Sequence, residues 1–283
     1  MKAIILLTFR ELRAKKITVG LFLMCTLAWI MLLFAFNLDV VEGSLAGVRV
    51  FGGDVGVPST DDQSVQAGGV NLTLQQFVVS IESFVAGAAY WLAALLGIFA
   101  TAPLFSRFME AGQADLLFSK PLSRSQILGG HLIGVAMTVT AIALYLFFMI
   151  WIIMSVKSGI WNPRFFLAIP VVVIMFMVVY SVVTLTTIAT KSTALSLIIA
   201  YGLIFCSIIL VGGEDLAVQI SLPWRHVFRG FYHVLPNFAE VTALPAQLTG
   251  IDRVDTFYPF FSSILFGLAV YAASFAKLRR SDL

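Results

Sequence analysis

The chain has 283 residues, of which 60 % are hydrophobic and only 12 % charged, with a net charge of +3. An ordinary soluble domain carries roughly 25 % charged residues, and a soluble core this apolar lacks the polar groups to cover its surface. The composition therefore excludes an ordinary soluble enzyme and places the chain in a lipid bilayer, with one membrane domain filling its length. Cys25 and Cys206 both lie inside apolar runs and read as small hydrophobes rather than as a disulfide or metal pair. Three histidines without ligand spacing argue against a metal enzyme.

A bilayer core of about 30 Å needs about 20 helical residues, and six runs approach or exceed that length. They are apolar on every side rather than alternating, so they predict helices and not barrel strands. The fold class expected is an all-α integral membrane protein with six transmembrane helices. Lys2 to Lys16 mixes Ile5, Phe9 and Leu12 with five basic side chains and suits a short helix along the membrane interface. Span one is 17–37. The loop 38–83 is rich in Gly and Asp and reads as a partly ordered loop; a short hairpin of Val48 to Phe51 with Val70 to Leu74 is the alternative. Span two is 84–105.

The next segment runs from Ser106 to Gln126. Arg107 to Phe118 reads as a short helix, with Leu116, Leu117 and Phe118 apolar at one end and Glu110, Gln113 and Asp115 on the wetter side. Pro121 stops it and pushes Lys120 out of the helical region. Ser123, with Gln126 three residues on, starts a new helix through a capping box. An exposed helix with apolar residues needs something to dock against.

Span three is 127–154 and span four 165–189. On span four Ser181, Thr184, Thr187 and Thr190 form a winding polar stripe, which either joins helices or lines a path. Span five is 193–211. In the segment 212–256, Phe228, Phe231, Leu235, Phe238 and Val241 recur at helical spacing, interrupted by Pro236 and Pro245. Short helices dipping into the leaflet fit this pattern, with any irregular backbone covered by protein or water; a helix lying on the surface is the alternative. His226, His233 and Glu240 share one spacing, but Pro236 breaks the helix that would align them. Span six is 257–276, followed by the basic tail Lys277 to Leu283.

Orientation follows from Lys and Arg placement. Twelve of the 18 basic residues and four of the 15 acidic ones fall on one face, which is predicted to be cytosolic and to hold both termini. None of the six runs contains Asp, Glu, Lys or Arg, and an ion-coupled carrier usually needs such a group inside the membrane. His131, near the cytosolic end of span three, reads as an interfacial residue. A Gly-rich phosphate loop ending in Lys-Ser/Thr is absent, so energy for transport has to come from another chain.

The stretch Glu110-Ala-Gly-Gln-Ala-Asp-Leu-Leu-Phe-Ser-Lys-Pro-Leu-Ser-Arg-Ser-Gln126 resembles the signature region of ABC-2 type transporter permeases. The basic N-terminal helix, Leu235-Pro-Asn-Phe238 before the last span and the basic tail agree with it; Gln113 departs from the small hydroxyl residue common there. The resemblance implies a permease subunit, an exporter, that is itself no enzyme. It implies pairing with a second permease as a homodimer and with two copies of an ATP-binding subunit, which holds the ATP and magnesium. The segment between spans two and three would be the coupling helix. Arg107, Glu110, Gly112, Gln113, Asp115, Leu116, Leu117 and Lys120 would meet the ATPase, and Pro121 and Arg124 would fix the turn back into the membrane. Ser181, Thr184 and Thr187 are the candidates for a translocation path or helix interface. No cofactor of the chain's own, no metal and no nucleic acid are expected; the location implied is the cell (inner) membrane. Two other readings are a subunit that transmits force to an extracytoplasmic partner protein and an ion-coupled carrier.

Overall fold

The computed structural model describes residues 16–41, 44–50, 53–58, 64–67, 70–108, 124–211, 230–250 and 256–280. Among these, five helices are long and apolar enough to cross a membrane, and the apolar helix Thr193–Ile209, of 17 residues, stands beside them. The membrane part is all-α.

Helix α1 (Lys16–Ala35) passes without a linker into strand β1 (Phe36–Val41). Four more strands follow: β2 (Ser44–Val50), β3 (Gly53–Pro58), β4 (Ser64–Ala67) and β5 (Val70–Thr73). They pair antiparallel in the order β1-β2-β3-β4-β5. The loop expected to be partly ordered is thus a meander. Val48 and Val70, expected to sit in one hairpin, lie in β2 and β5, which are not neighbours. Val48 pairs opposite Leu38 and Gly56, and Val70 opposite Ala67. Glycine and aspartate made this stretch look irregular, but Asp39, Gly47, Gly53, Asp54 and Gly56 lie within the strands.

Helix α2 (Leu74–Leu92) starts ten residues before the predicted Phe84. Thr73 sets its start, because the Thr73 hydroxyl accepts the Gln76 N–H and the Gln76 side chain accepts the Thr73 N–H, a complete capping box. A π-turn, Ala93–Gly97, joins α2 to α3 (Ile98–Phe108). Such a turn disturbs the hydrogen-bond ladder, and two of its carbonyls are taken up by side chains. The Tyr201 hydroxyl donates to the Leu95 carbonyl at 2.7 Å and Thr101 donates to that of Gly97 at 2.8 Å.

Helix α4 (Arg124–Ser158) has 35 residues and, at about 1.5 Å per residue, is about 52 Å long, so it exceeds a bilayer core. A 3₁₀ turn, Pro163–Leu167, leads into α5 (Ala168–Thr190). Lys191, in the left-handed region at φ 53°, closes α5, and Ser192 caps α6 (Thr193–Ile209). Residues 230–234 are helical and 235–239 irregular. The 3₁₀ turn Glu240–Thr242, α7 (Ala243–Thr249) and α8 (Tyr258–Arg280) complete the order.

Helix α5 is the core. It packs against α3, α4, α6, α7 and α8, and Val172, Met175, Phe176, Val179 and Val183 are all buried, as a helix apolar on every side requires. Helix α8 comes close to it at Gly267, where a Cβ would stand 3.1 Å from Val178 Cγ2 and 3.3 Å from Val178 Cα. Small residues let helices approach this closely. Helix α1 is the opposite case: Leu23, Leu27 and Phe34 are largely exposed. Its ties to α4 centre on Tyr145, whose hydroxyl bonds Thr26 and accepts from Trp29 Nε1, both at 3.0 Å. Farther along, the Lys157 amine donates to the Leu33 carbonyl. Replacing Gly267 by Leu should lower the stability of the detergent-solubilised protein by about 1–3 kcal/mol through overpacking. The same change at Gly20, which has nothing within 4 Å, should leave thermal unfolding unchanged.

Candidate functional site

The bundle has a basic end and a sheet end. Lys191 follows α5, Arg279 and Arg280 end α8, and Arg124 begins α4. There the Arg279 Nε donates to Ser125 Oγ at 3.2 Å, tying the C-terminal turn to the start of α4. Of the residues predicted to couple to an ATPase, Arg107 lies in the last turn of α3 and Arg124 is the first residue of α4. Glu110, Gly112, Gln113, Asp115, Leu116, Leu117, Lys120 and Pro121 lie outside the described residues, as do residues 2–15 of the predicted helix Lys2 to Lys16.

Ser181, Thr184 and Thr187 are fully buried within the chain. Ser181 donates to the Val178 carbonyl at 2.6 Å and Thr184 to that of Tyr180 at 2.8 Å, so both return their hydroxyls to their own helix. His131, expected at the interface, is fully buried, with Nε2 3.0 Å from the Tyr180 hydroxyl. Helix α4 begins at Arg124 and carries His131 inward to face α5, which hydropathy alone does not reveal.

The sheet end holds a network that hydropathy reading misses. Because α2 begins at Leu74, it contains Glu82, and the expectation of spans without an acidic group is corrected: Glu82 is fully buried. Its Oε2 accepts from Asn162 Nδ2 at 2.7 Å. The same amide donates to the Thr249 carbonyl at 3.1 Å, and Asn162 Oδ1 accepts the Arg164 N–H at 3.2 Å. Trp151 Nε1 donates to the Asn162 carbonyl at 3.0 Å. One asparagine between α4 and α5 thus joins α2, α4, α7 and the 3₁₀ turn. Ser83 adds a bond to the Ala246 carbonyl at 3.2 Å. The Thr73–Gln76 capping box is the signal that would have extended the helix back over Glu82.

Deeper along α2, about 12 Å from Glu82 at the helical rise, lies the irregular Leu235-Pro-Asn-Phe238 backbone. Phe238 is fully buried against Tyr90 and Trp91, with ring centroids 4.5 and 5.4 Å apart. The Tyr90 hydroxyl donates to the Phe238 carbonyl at 2.5 Å. Ser263 on α8 accepts the Asn237 N–H at 3.0 Å, and Ser207 on α6 accepts that of Ala239 at 2.9 Å. Three helices therefore satisfy a non-helical segment, as apolar surroundings demand. The irregular backbone at 235–239 is thus covered by protein, the condition set for it by the interrupted aromatic pattern.

The histidine–glutamate spacing is otherwise engaged. His233 Nδ1 lies 2.6 Å from the Tyr258 hydroxyl, and Glu240 accepts the Tyr232 hydroxyl at 2.8 Å. His226 lies outside the described residues. Among the described residues no His, Cys, Asp and Glu group is placed to hold a metal ion.

The family described as "ABC-2 family transporter protein" matches residues 3–283. The chain belongs to the ABC-2 transporter family. Curated proteins give no match. As an ABC-2 permease the chain is a multi-pass membrane subunit of an ABC transporter, and the networks above are the internal supports of such a subunit. Replacing Tyr90 by Phe leaves the Phe238 carbonyl without its donor, at a cost of about 1–3 kcal/mol. The expected outcome is a lower unfolding temperature and faster proteolysis in the segment 212–256, with Ser207→Ala acting in the same direction at the Ala239 N–H.

Proposed function

We propose that this permease is the non-catalytic transmembrane half of an ATP-driven exporter, working as a homodimer with two separate ATP-binding subunits. The family match over residues 3–283 carries this reading. The basic end would face the cytosol in the cell (inner) membrane, with both termini there, in keeping with the positive-inside rule. The segment 109–123 joins α3 to α4 at that end and is the place for a coupling helix. On this reading Glu110, Gly112, Asp115, Leu116 and Leu117 contact the ATPase. ATP and magnesium belong to that partner, and this chain needs no cofactor of its own. The exposed apolar face of α1 would lie against lipid or the second permease. Thr193–Ile209, with 17 residues, is at the lower limit for a span and completes a set of six.

A second reading is favoured by one feature. Strand β1 continues directly from α1, and Thr73 both ends β5 and caps α2. A sheet rooted in two helices without linkers suits the transmission of force to an extracytoplasmic partner.

Affinity purification of the tagged permease from its native host tests the first reading. An ATP-binding subunit should co-purify. Glu110→Ala and Leu117→Arg should each reduce that recovery and the attached ATPase activity by at least about tenfold, the equivalent of 1.4 kcal/mol. Recovery of no ATP-binding subunit, or full recovery and activity with both variants, would overturn it.

A further inference from the structure

Among the described residues, Glu82 is a buried acid with no base placed against it. It is fully buried, the Asn162 amide is the donor to Oε2, and Oε1 has no partner among the described residues. The charged groups on the surrounding elements are placed elsewhere. Helix α7 and the connection 159–162 contain no ionisable side chain, and the other ionisable group on α2 is Tyr90, whose hydroxyl donates to the Phe238 carbonyl. The turn after Asn162 brings Arg164, which is exposed and bonds Asn162 through its backbone N–H. On α4 the Lys157 amine donates to the Leu33 carbonyl, and Glu240, on the turn before α7, accepts from Tyr232. A carboxylate removed from water without a counter-charge is strongly disfavoured, whereas a neutral acid with one idle hydroxyl is tolerable. The acid also stands at a seam. Asn162 bonds both Glu82 and the Thr249 carbonyl, so Glu82 ties α2 to α7 through Asn162, beside the direct bond from Ser83 to the Ala246 carbonyl.

We propose that Glu82 stands in this seam as the neutral acid and that loss of its proton releases α7 from α2, making Glu82, Asn162 and Thr249 a pH-sensitive latch at the sheet end. The closed latch holds the proton; the released form, reached by water, gives it up in the ordinary carboxylic range. Closure is therefore complete at low pH and weakens as pH rises, with the ratio of released to closed changing by up to about tenfold per pH unit for one proton. The latch belongs to the permease alone and does not depend on an attached ATPase.

Spin labels at Ser80→Cys on α2 and Gln247→Cys on α7, with Cys25 and Cys206 replaced by alanine, report the seam in the full chain in nanodiscs. Pulsed electron–electron distance measurements at about pH 6 should give one short distance. At about pH 9 a longer population should grow, up to the tenfold per unit that single-proton linkage permits. Adding Glu82→Gln, an amide that cannot ionise, should hold the short distance at both values. An unchanged distribution in the chain that keeps Glu82, or the same pH response with Glu82→Gln, would overturn the proposal. If Glu82→Gln gives no monodisperse protein, infrared spectra of the unaltered chain decide. A buried carboxylic-acid carbonyl band that fades over the same pH range as the distance change supports the latch, and absence of that band overturns it.

Discussion

A backbone amide or carbonyl among apolar helices must find a partner inside the protein, because lipid offers none. The helices meet this need within themselves. At three described departures from regular helix, the turn 93–97, the connection 159–162 and the segment 235–239, partners come from elsewhere. Tyr201 reaches across from α6 to the first, and Trp151 and Asn162 hold the second. Tyr90, Ser207 and Ser263 hold the third. Each of these three has thereby become a joint between helices. The polar side chains in otherwise apolar runs are the fasteners of the bundle.

This arrangement divides the molecule mechanically. Helix α5, buried on nearly every side, is the fixed centre, and α8 lies against it as closely as glycine permits. Helix α1 stands apart, held to α4 through Tyr145 and Lys157. Between them runs one continuous line: β5, α2, the π-turn and α3, ending where the segment 109–123 begins. On the proposed reading force enters at that segment and travels along this line toward the sheet. The π-turn and the Glu82 seam are then the two points where the line can bend or part.

Much of this was legible in the amino-acid order. The apolar runs around residues 17–37, 127–154, 165–189 and 257–276 lie within or across helices close to their expected limits, because a helix that must bury itself in lipid is apolar throughout its length. The ABC-2 resemblance read from residues 110–126 agrees with the family match. The covered irregular backbone at 235–239 was also readable, since Pro236 interrupts an aromatic pattern that has to be covered. The start of α2 was not. Gln75, Gln76, Ser80, Glu82 and Ser83 lower the local hydropathy, and only the Thr73 capping box marks the true beginning. The meander was hidden because its strands themselves carry glycines and aspartates, residues depleted in strands.

The sequence by itself determined the solvent, the family and the positions of the long helices, since these follow from composition and local pattern along the chain. Tertiary structure decided which polar groups lie inside. Glu82 looked like a loop acid until α2 was extended and α7 closed over it. His131 is buried against Tyr180, and Ser181 and Thr184, candidates for a path or a helix interface, return their hydroxyls to α5. Burial depends on neighbours contributed by distant segments, and a side chain's charge state and partners depend on burial, so neither can be read from local order alone.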